Sequence, residues 1–174
     1  MTERTSRQVF LNPDPAAGIA NSALPLIVST GAVDPTTSAA SVEALLREHG
    51  WQGTWTYTVY DYWHFHVTGY EVLVCVAGKA SIGFGGDTGT SVAVEPGDAV
   101  FIPAGVAHRR LSGSPDFQVV GAYPPDQDGT IVRAGAMPIE AVRRAIDSLA
   151  VPDVDPLSGD RPGRLSGWWP RRPD

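Results

Sequence analysis

The sequence predicts an all-β fold, with one short helix before the sheet region and one helix plus an extended tail after it. Residues 53–123 form short segments rich in Val, Ile, Tyr, Trp and Thr, separated by clusters of Gly, Pro, Asp and Ser. This pattern is typical of antiparallel strands joined by turns. The 174 residues suit one domain with decorated ends. We expect three regions: 1–52, an N-terminal arm, strand and short helix packed on a barrel; 53–125, the barrel core; and 126–174, a C-terminal helix and Trp-containing tail.

The region before the core is expected to hold one strand and one helix. The chain up to Ala23 is rich in Pro, Asn and Ala and predicts an extended arm, and a strand candidate follows at 24–28. In 38–49 the apolar residues recur at steps of three and four, which predicts a short amphipathic helix. Ser38 or Ser41 can cap its start, and Gly50 can close its end.

The region after the core is expected to hold a second helix and an anchored tail. One helical face carries the apolar residues Ile139, Val142, Ile146 and Leu149. Pro138 suits the first turn of this helix, which we expect to pack on the barrel. The tail is rich in Pro, Gly and Asp, but it also carries Leu157, Leu165, Trp168 and Trp169. We expect these apolar residues to anchor the tail on the barrel or on a second subunit.

Composition and charge exclude several classes of function. The formal net charge is -6, and Lys and Arg form no cluster larger than a pair such as Arg171 and Arg172, so no basic surface for nucleic acid or an anionic membrane is expected. The single cysteine, Cys75, excludes an intramolecular disulfide framework. Residues 2–7 are polar rather than a signal segment, which favours a cytoplasmic protein. No apolar run approaches the roughly 20 residues of a membrane helix.

Three of the four histidines lie in two short blocks that predict a metal site. His64 and His66 are followed closely by Glu71, and His108 lies in a later block that begins with Gly97. Side chains alternate between the two faces of a strand, so His64 and His66 should point to the same side and could share one ion. Three imidazoles and one carboxylate are a complete set of protein ligands for a divalent transition metal.

The two blocks resemble the paired motifs of the cupin superfamily. The first motif, HxH, three or four residues, E, six residues, G, is matched by His64, His66, Glu71 and Gly78. The second motif, G, five residues, P, one residue, G, two residues, H, is matched by Gly97, Pro103, Gly105 and His108. Thr58 replaces the usual glycine ahead of the first motif, and Ser112 replaces an asparagine often found after the second. The joint occurrence of both motifs in this order is a specific signal.

The whole chain is similar to a largely uncharacterised family of small bacterial single-domain cupins, including residues 119–125 after the second motif. The resemblance implies a single cupin jelly-roll β-barrel, also called a double-stranded β-helix. It also implies one divalent transition metal per chain, held by His64, His66, Glu71 and His108. Many cupins pair through their sheets, so a homodimer is expected by analogy. The resemblance implies no particular activity.

The ligand set leaves several functions open. Imidazole nitrogen and carboxylate oxygen suit Fe, Mn, Co, Ni, Cu or Zn rather than Ca or Mg, and we expect Fe first. Four protein ligands leave two positions of an octahedral ion for O₂ or a bidentate substrate. The leading hypothesis is a metal-dependent enzyme such as an iron dioxygenase acting on a small organic substrate. The alternatives are a non-redox metal-dependent isomerase, decarboxylase or hydrolase, and a non-catalytic small-molecule-binding cupin.

Strand alternation also suggests residues for the wall of a substrate pocket. Tyr60 and Tyr62 share the parity of His64, and Leu73 and Cys75 share the parity of the glutamate that precedes them. The tyrosines would serve equally well in the core, provided that their hydroxyls find partners. Cys75 is better explained as a small buried hydrophobe than as a nucleophile, since no partner motif accompanies it.

One cation is a further pocket candidate. Arg110 shares the face of His108 and could bind a substrate carboxylate or phosphate, unless a bulge after His108 turns it outward. Glu71 is either the fourth metal ligand or a solvated strand residue. His49 lies on the first predicted helix, outside both motifs, and is expected to be a helix-end or packing residue.

Overall fold

The structure is a computed structural model that describes residues 4–161. In chain order its strands are β1 (Thr5–Val9), β2 (Leu26–Thr30), β3 (Gln52–Tyr57), β4 (His64–Phe65), β5 (Glu71–Ala77), β6 (Ala80–Phe84), β7 (Thr90–Val94), β8 (Ala99–Ile102), β9 (His108–Gly113), β10 (Gln118–Tyr123) and β11 (Val132–Arg133). Its helices are α1 (Ala39–Glu48), α2 (Ile139–Asp147) and a short 3-10 helix, Pro15–Ala17.

The strands form two antiparallel sheets that pack face to face. The first sheet has six strands in the order β1-β2-β8-β5-β10-β3, and the second has five in the order β11-β4-β9-β6-β7. From β7 to β11, successive strands alternate between the two sheets. This crossing between antiparallel sheets is the jelly-roll arrangement. The predicted all-β jelly-roll barrel, with one helix before it and one after it, is therefore confirmed.

Strand β5 shows how the sheets separate two cores. Leu73 and Cys75 point between the sheets, into a cluster that includes residues of both. Val72 and Val74 point to the outer face of the six-stranded sheet, where they meet α1 and Trp51. Both faces of this strand are buried, so its sequence shows a continuous apolar run rather than an alternating one.

Helix α1 covers the outer face of the six-stranded sheet. The Ser38 side chain accepts a hydrogen bond from the Ser41 amide at the start of the helix, and His49 is the C-terminal cap. Val42 and Leu46 are fully buried against the sheet. The predicted cap and apolar face are confirmed, and His49 is a helix-end residue.

The N-terminal arm contains more regular structure than the sequence predicted. Strand β1 pairs with β2 and extends the six-stranded sheet, and the strand expected at 24–28 lies at Leu26–Thr30. Further along the arm, the buried Asn21 side chain donates to the Gly85 carbonyl and accepts from the Ala107 amide. These bonds fix the arm directly beside the residue that precedes His108. Most residues of β1 are exposed, so the polar sequence of the arm shows no apolar pattern that would predict this strand.

The C-terminal region packs against two hydrophobic clusters on the outside of the barrel. Helix α2 buries Val142 in a cluster with Phe65 and Ala107, and Ile146 also reaches the α1 side. Leu157 is buried beneath α1, as expected for a tail anchor. The other predicted anchors, Leu165, Trp168 and Trp169, lie outside the described residues. Neither helix in residues 4–161 has the length and apolar composition needed to cross a membrane.

The packing of α1 gives a stability prediction. We expect Leu46→Ala to lower the free energy of unfolding by about 2–5 kcal/mol, because it leaves a cavity beneath the helix. Leu45→Ala is the matched control, and its effect should be smaller because Leu45 is only partly buried. Urea unfolding followed by circular dichroism measures both losses. Equal losses in the two variants would contradict the assignment of the buried face.

Candidate metal centre

Strand pairing brings the three histidines of the motifs together. His64 in β4 lies directly opposite His108 in β9, and their ring centroids are 4.3 Å apart. His66 follows β4 immediately, and its ring centroid lies 5.5 Å from that of His108. One ligand nitrogen from each of the three rings lies within 4.8 Å of the other two. All three side chains are buried, so the cluster is a candidate metal site with little access to bulk water.

Main-chain carbonyls hold the Nδ1 atom of every ring. His64 Nδ1 is 2.8 Å from the Tyr62 carbonyl oxygen, and His108 Nδ1 is 3.0 Å from the Val106 carbonyl oxygen. His66 Nδ1 is 3.0 Å from the carbonyl oxygen of Thr130. A carbonyl oxygen can only accept, so each Nδ1 carries the hydrogen. Each Nε2 is therefore the nitrogen left for a metal ion.

Glu71 completes the cluster from the opposite sheet. It is the first residue of β5, and its side chain is buried. Its Oε2 atom lies 3.1 Å from His66 Nε2 and 3.4 Å from His108 Nε2. Glu71 is therefore not a solvated strand residue. The cluster joins the two sheets of the barrel, because the histidine strands β4 and β9 belong to the five-stranded sheet.

The pKa values of these groups differ with their surroundings. Burial, assisted by the charge of His108, lowers the pKa of His64 to about 3. Burial alone would lower the pKa of His66, but the charge and hydrogen bond of Glu71 outweigh it and raise that pKa. Burial alone would raise the pKa of Glu71, but the neighbouring His66 and His108 lower it. Glu71 is thus an anion at neutral pH, and His64 is a neutral imidazole.

The donor set fits a divalent transition metal. It offers imidazole nitrogen and carboxylate oxygen together, which is the mixture that Fe, Mn, Co, Ni, Cu and Zn accept. The three rings are oriented by hydrogen bonds at Nδ1, as is usual for histidines that bind metals. His64, His66 and His108 could therefore hold an ion, and Glu71 stands beside them as a source of negative charge.

The turn of the second motif connects the two halves of the site. The Val106 amide donates to the Pro103 carbonyl, and the Gly105 amide donates to the His66 carbonyl over 2.8 Å. Gly105 has a φ of +90°, and a Cβ at this position would lie 2.7 Å from the Asn21 carbonyl oxygen. The position therefore requires glycine for both conformation and space.

The cluster opens onto a cavity of about 280 Å³. The cavity is lined by Trp55, Tyr57, Thr58, Val59, Tyr60, His64, His66, Glu71, Leu73, His108, Tyr123, Gly129 and Ile131. Two of the predicted pocket residues, Tyr60 and Leu73, are among them. Aromatic and aliphatic side chains form most of the wall, so the histidines and Glu71 are the polar part of a largely apolar lining.

The other three pocket candidates do not line this cavity. Tyr62 stacks on Tyr60 with ring centroids 5.2 Å apart, and the Arg133 guanidinium lies over its outer side. Cys75 lies deeper, in the core between the sheets, where burial raises the pKa of its thiol to about 11. Arg110 Nη1 donates to Thr58 Oγ1 over 2.6 Å, and Thr58 rather than Arg110 lines the cavity. The bulge in β9 follows Arg110, so it does not rotate this residue.

Seven lining residues were missed from the sequence, and two of them, Trp55 and Tyr123, form a hydrogen-bonded pair. Trp55 Nε1 donates to the Tyr123 hydroxyl oxygen over 2.8 Å, and the Tyr123 ring meets His66 edge to face at 6.0 Å. Burial and the charge of Glu71 raise the pKa of Tyr123, so its hydroxyl stays protonated. Side chains alternate between the two faces of β10, and Val119 faces the inner core. Tyr123 lies four residues later, so the same alternation could have placed it on the inner face.

A search of known proteins found a relative that spans most of this chain. The chain is 36% identical over 161 residues to the uncharacterized protein YjlB of Bacillus subtilis (strain 168), a match that covers 92% of this chain and 96% of that protein. The chain matches no protein-family model.

Similar solved structures superpose only in part. Acireductone dioxygenase from Bacillus anthracis, with a cadmium ion in its active centre, is 20% identical, with 51% of this chain and 61% of that chain covered and a TM-score of 0.35. A DUF861 family protein from Thermotoga maritima is 19% identical, with 57% of this chain and 96% of that chain covered and a TM-score of 0.32. The DMSP lyase DddQ from Ruegeria pomeroyi is 16% identical, with 75% of this chain and 51% of that chain covered and a TM-score of 0.37.

The strand order, the two motifs and the buried histidines define this protein as a cupin with a candidate metal centre. Within the cupins, the identity and coverage of the Bacillus subtilis match are decisive. The chain belongs to the family of YjlB.

The geometry of the cluster predicts which histidines control metal content. We expect His66→Ala to weaken metal binding by at least about tenfold, since even residues that only orient metal ligands contribute about 10–100-fold. His49→Ala is the control, because His49 contacts the Pro156 carbonyl far from the cluster in sequence and in the fold. Metal analysis by inductively coupled plasma mass spectrometry reports both. Loss of metal in His49→Ala with retention in His66→Ala would contradict the assignment.

The raised pKa of His66 predicts that metal binding releases protons. At pH 6.5, the ordinary pKa of histidine, more than half of the metal-free molecules carry the extra proton on His66. This proton must leave Nε2 before the nitrogen can bind a cation. We expect release of more than about half a proton per ion at pH 6.5, falling as the pH rises through the folded pKa. Calorimetry in buffers of different ionisation enthalpy measures it, and the absence of release at pH 6.5 would contradict the His66–Glu71 pairing.

Proposed function

We propose that this protein is a metal-dependent enzyme, an iron dioxygenase that acts on a small organic substrate. The observation that carries the proposal is that the buried histidine and glutamate cluster opens onto a cavity of about 280 Å³. Structural metal sites are closed by protein ligands, whereas catalytic sites keep positions open for a reactant. A cluster of ligand residues at the end of a substrate-sized space supports the catalytic interpretation.

Each residue of the cluster has a definite part in this proposal. His64, His66 and His108 would hold the ion through Nε2, with their rings fixed by the carbonyl contacts at Nδ1. Glu71, ionised and buried, would supply the fourth ligand and reduce the positive charge of the site. The bound ion would supply redox chemistry with O₂ and a point of attachment for the substrate. Fixed ligand rings lower the cost of reorganisation when a reactant enters.

The cavity wall supports a reaction that depends on the ion rather than on a side-chain base. General acid–base catalysis needs a titratable group within reach of the substrate. Apart from Glu71 and the histidines, the titratable side chains of the described lining are tyrosines, and a phenol with an ordinary pKa of about 10 is a poor base at neutral pH. A largely apolar wall also strengthens electrostatic interactions within the site, because it lowers the local dielectric constant. This is the observation that favours the dioxygenase over a non-redox isomerase, decarboxylase or hydrolase.

Metal content is the first test of the proposal. The protein is purified without oxygen and without a histidine tag, and its metals are measured beside His108→Ala. We expect near-stoichiometric iron in the wild type and marked loss of iron in the variant. The iron-loaded protein should then consume oxygen with at least one member of a panel of small oxygen-chelating compounds. His49→Ala should keep both iron and oxygen consumption.

The alternatives give different results in the same experiment. Stoichiometric zinc or nickel, with turnover that consumes no oxygen, would overturn the dioxygenase in favour of Lewis-acid chemistry. Stoichiometric metal with ligand binding but no turnover would overturn it in favour of a binding cupin. Absence of any metal that depends on His108 would overturn the metal-dependent function altogether.

A further inference from the structure

Trp55 and Tyr123 form a hydrogen-bonded pair in the cavity wall. The Trp55 indole nitrogen donates to the Tyr123 hydroxyl oxygen over 2.8 Å, and both residues line the cavity with the metal-site residues. An indole N–H can only donate, so the hydroxyl oxygen is the acceptor in this bond. The hydroxyl hydrogen of Tyr123 must therefore point elsewhere. The indole fixes not only the position of the hydroxyl but also its role as a donor.

The Tyr123 hydroxyl lies beside the polar part of the cavity lining. Its ring is edge to face with His66, with centroids 6.0 Å apart. The hydroxyl is also hydrogen-bonded to Glu71, and a carboxylate can only accept, so the hydroxyl hydrogen points at Glu71 when no ligand is bound. A ligand attached to an ion at the cluster would therefore lie next to this donor. In a largely apolar cavity, such a donor has a large effect on which ligands bind, because few other polar groups compete with it.

Two glycines leave the space that the pair occupies. A Cβ at position 121 would overlap the Trp55 indole, and a Cβ at position 129 would overlap the Tyr123 hydroxyl. Gly121 lies in β10, and Gly129 lies in the loop that carries Thr130, the residue whose carbonyl holds His66. The same loop therefore orients a candidate metal ligand and makes room for the neighbouring hydroxyl. The pair is built into the site.

The size and charge of the cavity restrict the ligand further. Its volume of about 280 Å³ is near the lower end for ligand pockets. Among the described residues that line it, none is Lys or Arg. A phosphate, or a carboxylate away from the ion, would enter without a compensating positive charge, which is costly in an apolar space.

We propose that the cavity binds a small, unphosphorylated oxygen chelator with an apolar body, and that the Tyr123 hydroxyl exchanges its hydrogen bond to Glu71 for one to a metal-binding oxygen of this ligand. Enediols, hydroxy ketones, catechols and 2-oxo acids are ligands of this class. Trp55 is the positioning residue that presents the hydroxyl as a donor. The inference rests on the proposed function, because it requires an ion at the histidine cluster.

The test uses iron-loaded protein and 4-nitrocatechol, a coloured oxygen chelator whose absorption reports binding. We expect Tyr123→Phe to keep the iron affinity of the wild type within about twofold and to weaken 4-nitrocatechol binding about ten- to a hundredfold, the usual effect of a hydrogen bond to a charged oxygen. The absorption band of the bound probe should also shift. Trp55→Phe should shift the band in the same direction with iron content unchanged, which a merely structural role would not cause. Tyr62→Phe is the matched control, since Tyr62 lies outside the cavity wall, and it should match the wild type.

A second variant and a second probe keep the test decisive. Gly129→Ala retains the hydroxyl but displaces it, so it should also weaken 4-nitrocatechol binding. 2-Phosphoglycolate, a small chelator with a phosphate, should fail to displace 4-nitrocatechol. Displacement at similar concentrations would overturn the proposed ligand class.

The outcomes separate this inference from the proposed function. If the wild type binds no iron at the cluster, both fail. If iron binds and Tyr123→Phe matches the wild type in probe affinity and spectrum, only the role of Tyr123 fails. If Tyr123→Phe loses iron but the remaining iron-bound fraction binds the probe normally, Tyr123 serves to orient Glu71, and the inference is again overturned.

Discussion

The convergence of three imidazole nitrogens and one carboxylate in a buried space is the constraint on which the site depends. Each Nδ1 donates to a main-chain carbonyl, so each neutral ring presents its Nε2 lone pair to the cluster. Lone pairs and a carboxylate gathered away from water are costly unless a positive charge compensates them. A proton on His66 provides positive charge only for the contact between His66 and Glu71. A divalent cation can interact favourably with the three imidazole lone pairs and the carboxylate together. Glu71 belongs to the six-stranded sheet, whereas His64 and His108 belong to the five-stranded sheet. A cation bound by these groups would therefore also hold the two sheets together.

Much of the site could be predicted from the sequence because local strand geometry determines it. The spacing of His64 and His66, and the turn before His108, already specify which side chains share a face. The parity argument fails where the backbone stops being a strand. Residues 58–63 form no strand, so Tyr60 reaches the cavity and Tyr62 does not. In β5 the parity argument correctly places both Leu73 and Cys75 on the inner face. Only Leu73 lines the cavity, because Cys75 lies two residues further along the strand, in the packed core.

Other features depend on contacts that no local pattern contains. Arg110 faces inward as expected, but its guanidinium is held by Thr58, which is 52 residues away in sequence. The pairing of Trp55 with Tyr123 joins β3 to the end of β10 across 68 residues. Strand β1 is recognisable only from its partner β2, because its exposed polar residues lack an apolar face. Sequence reasoning succeeds where one strand or turn determines the result, and it fails where two distant segments must meet.

The distribution of polar groups separates two tasks within the cavity. The histidines and Glu71 gather the groups suited to a cation at one end, while the described wall residues offer no Lys or Arg. A bound anion would therefore find compensation for its charge only at the ion, which binds many oxygen ligands with little discrimination. Discrimination must come from the shape of the apolar wall and from the direction of the few hydroxyl donors. Tyr123 and Thr58 each have a hydroxyl oxygen that accepts an N–H, from Trp55 and from Arg110, and each keeps its hydrogen to donate. Tyr123 is distinctive because its hydroxyl also contacts Glu71, beside the histidines. In the proposed metal-bound form, selectivity would thus depend on the orientation of a neutral donor beside the ion rather than on additional charge.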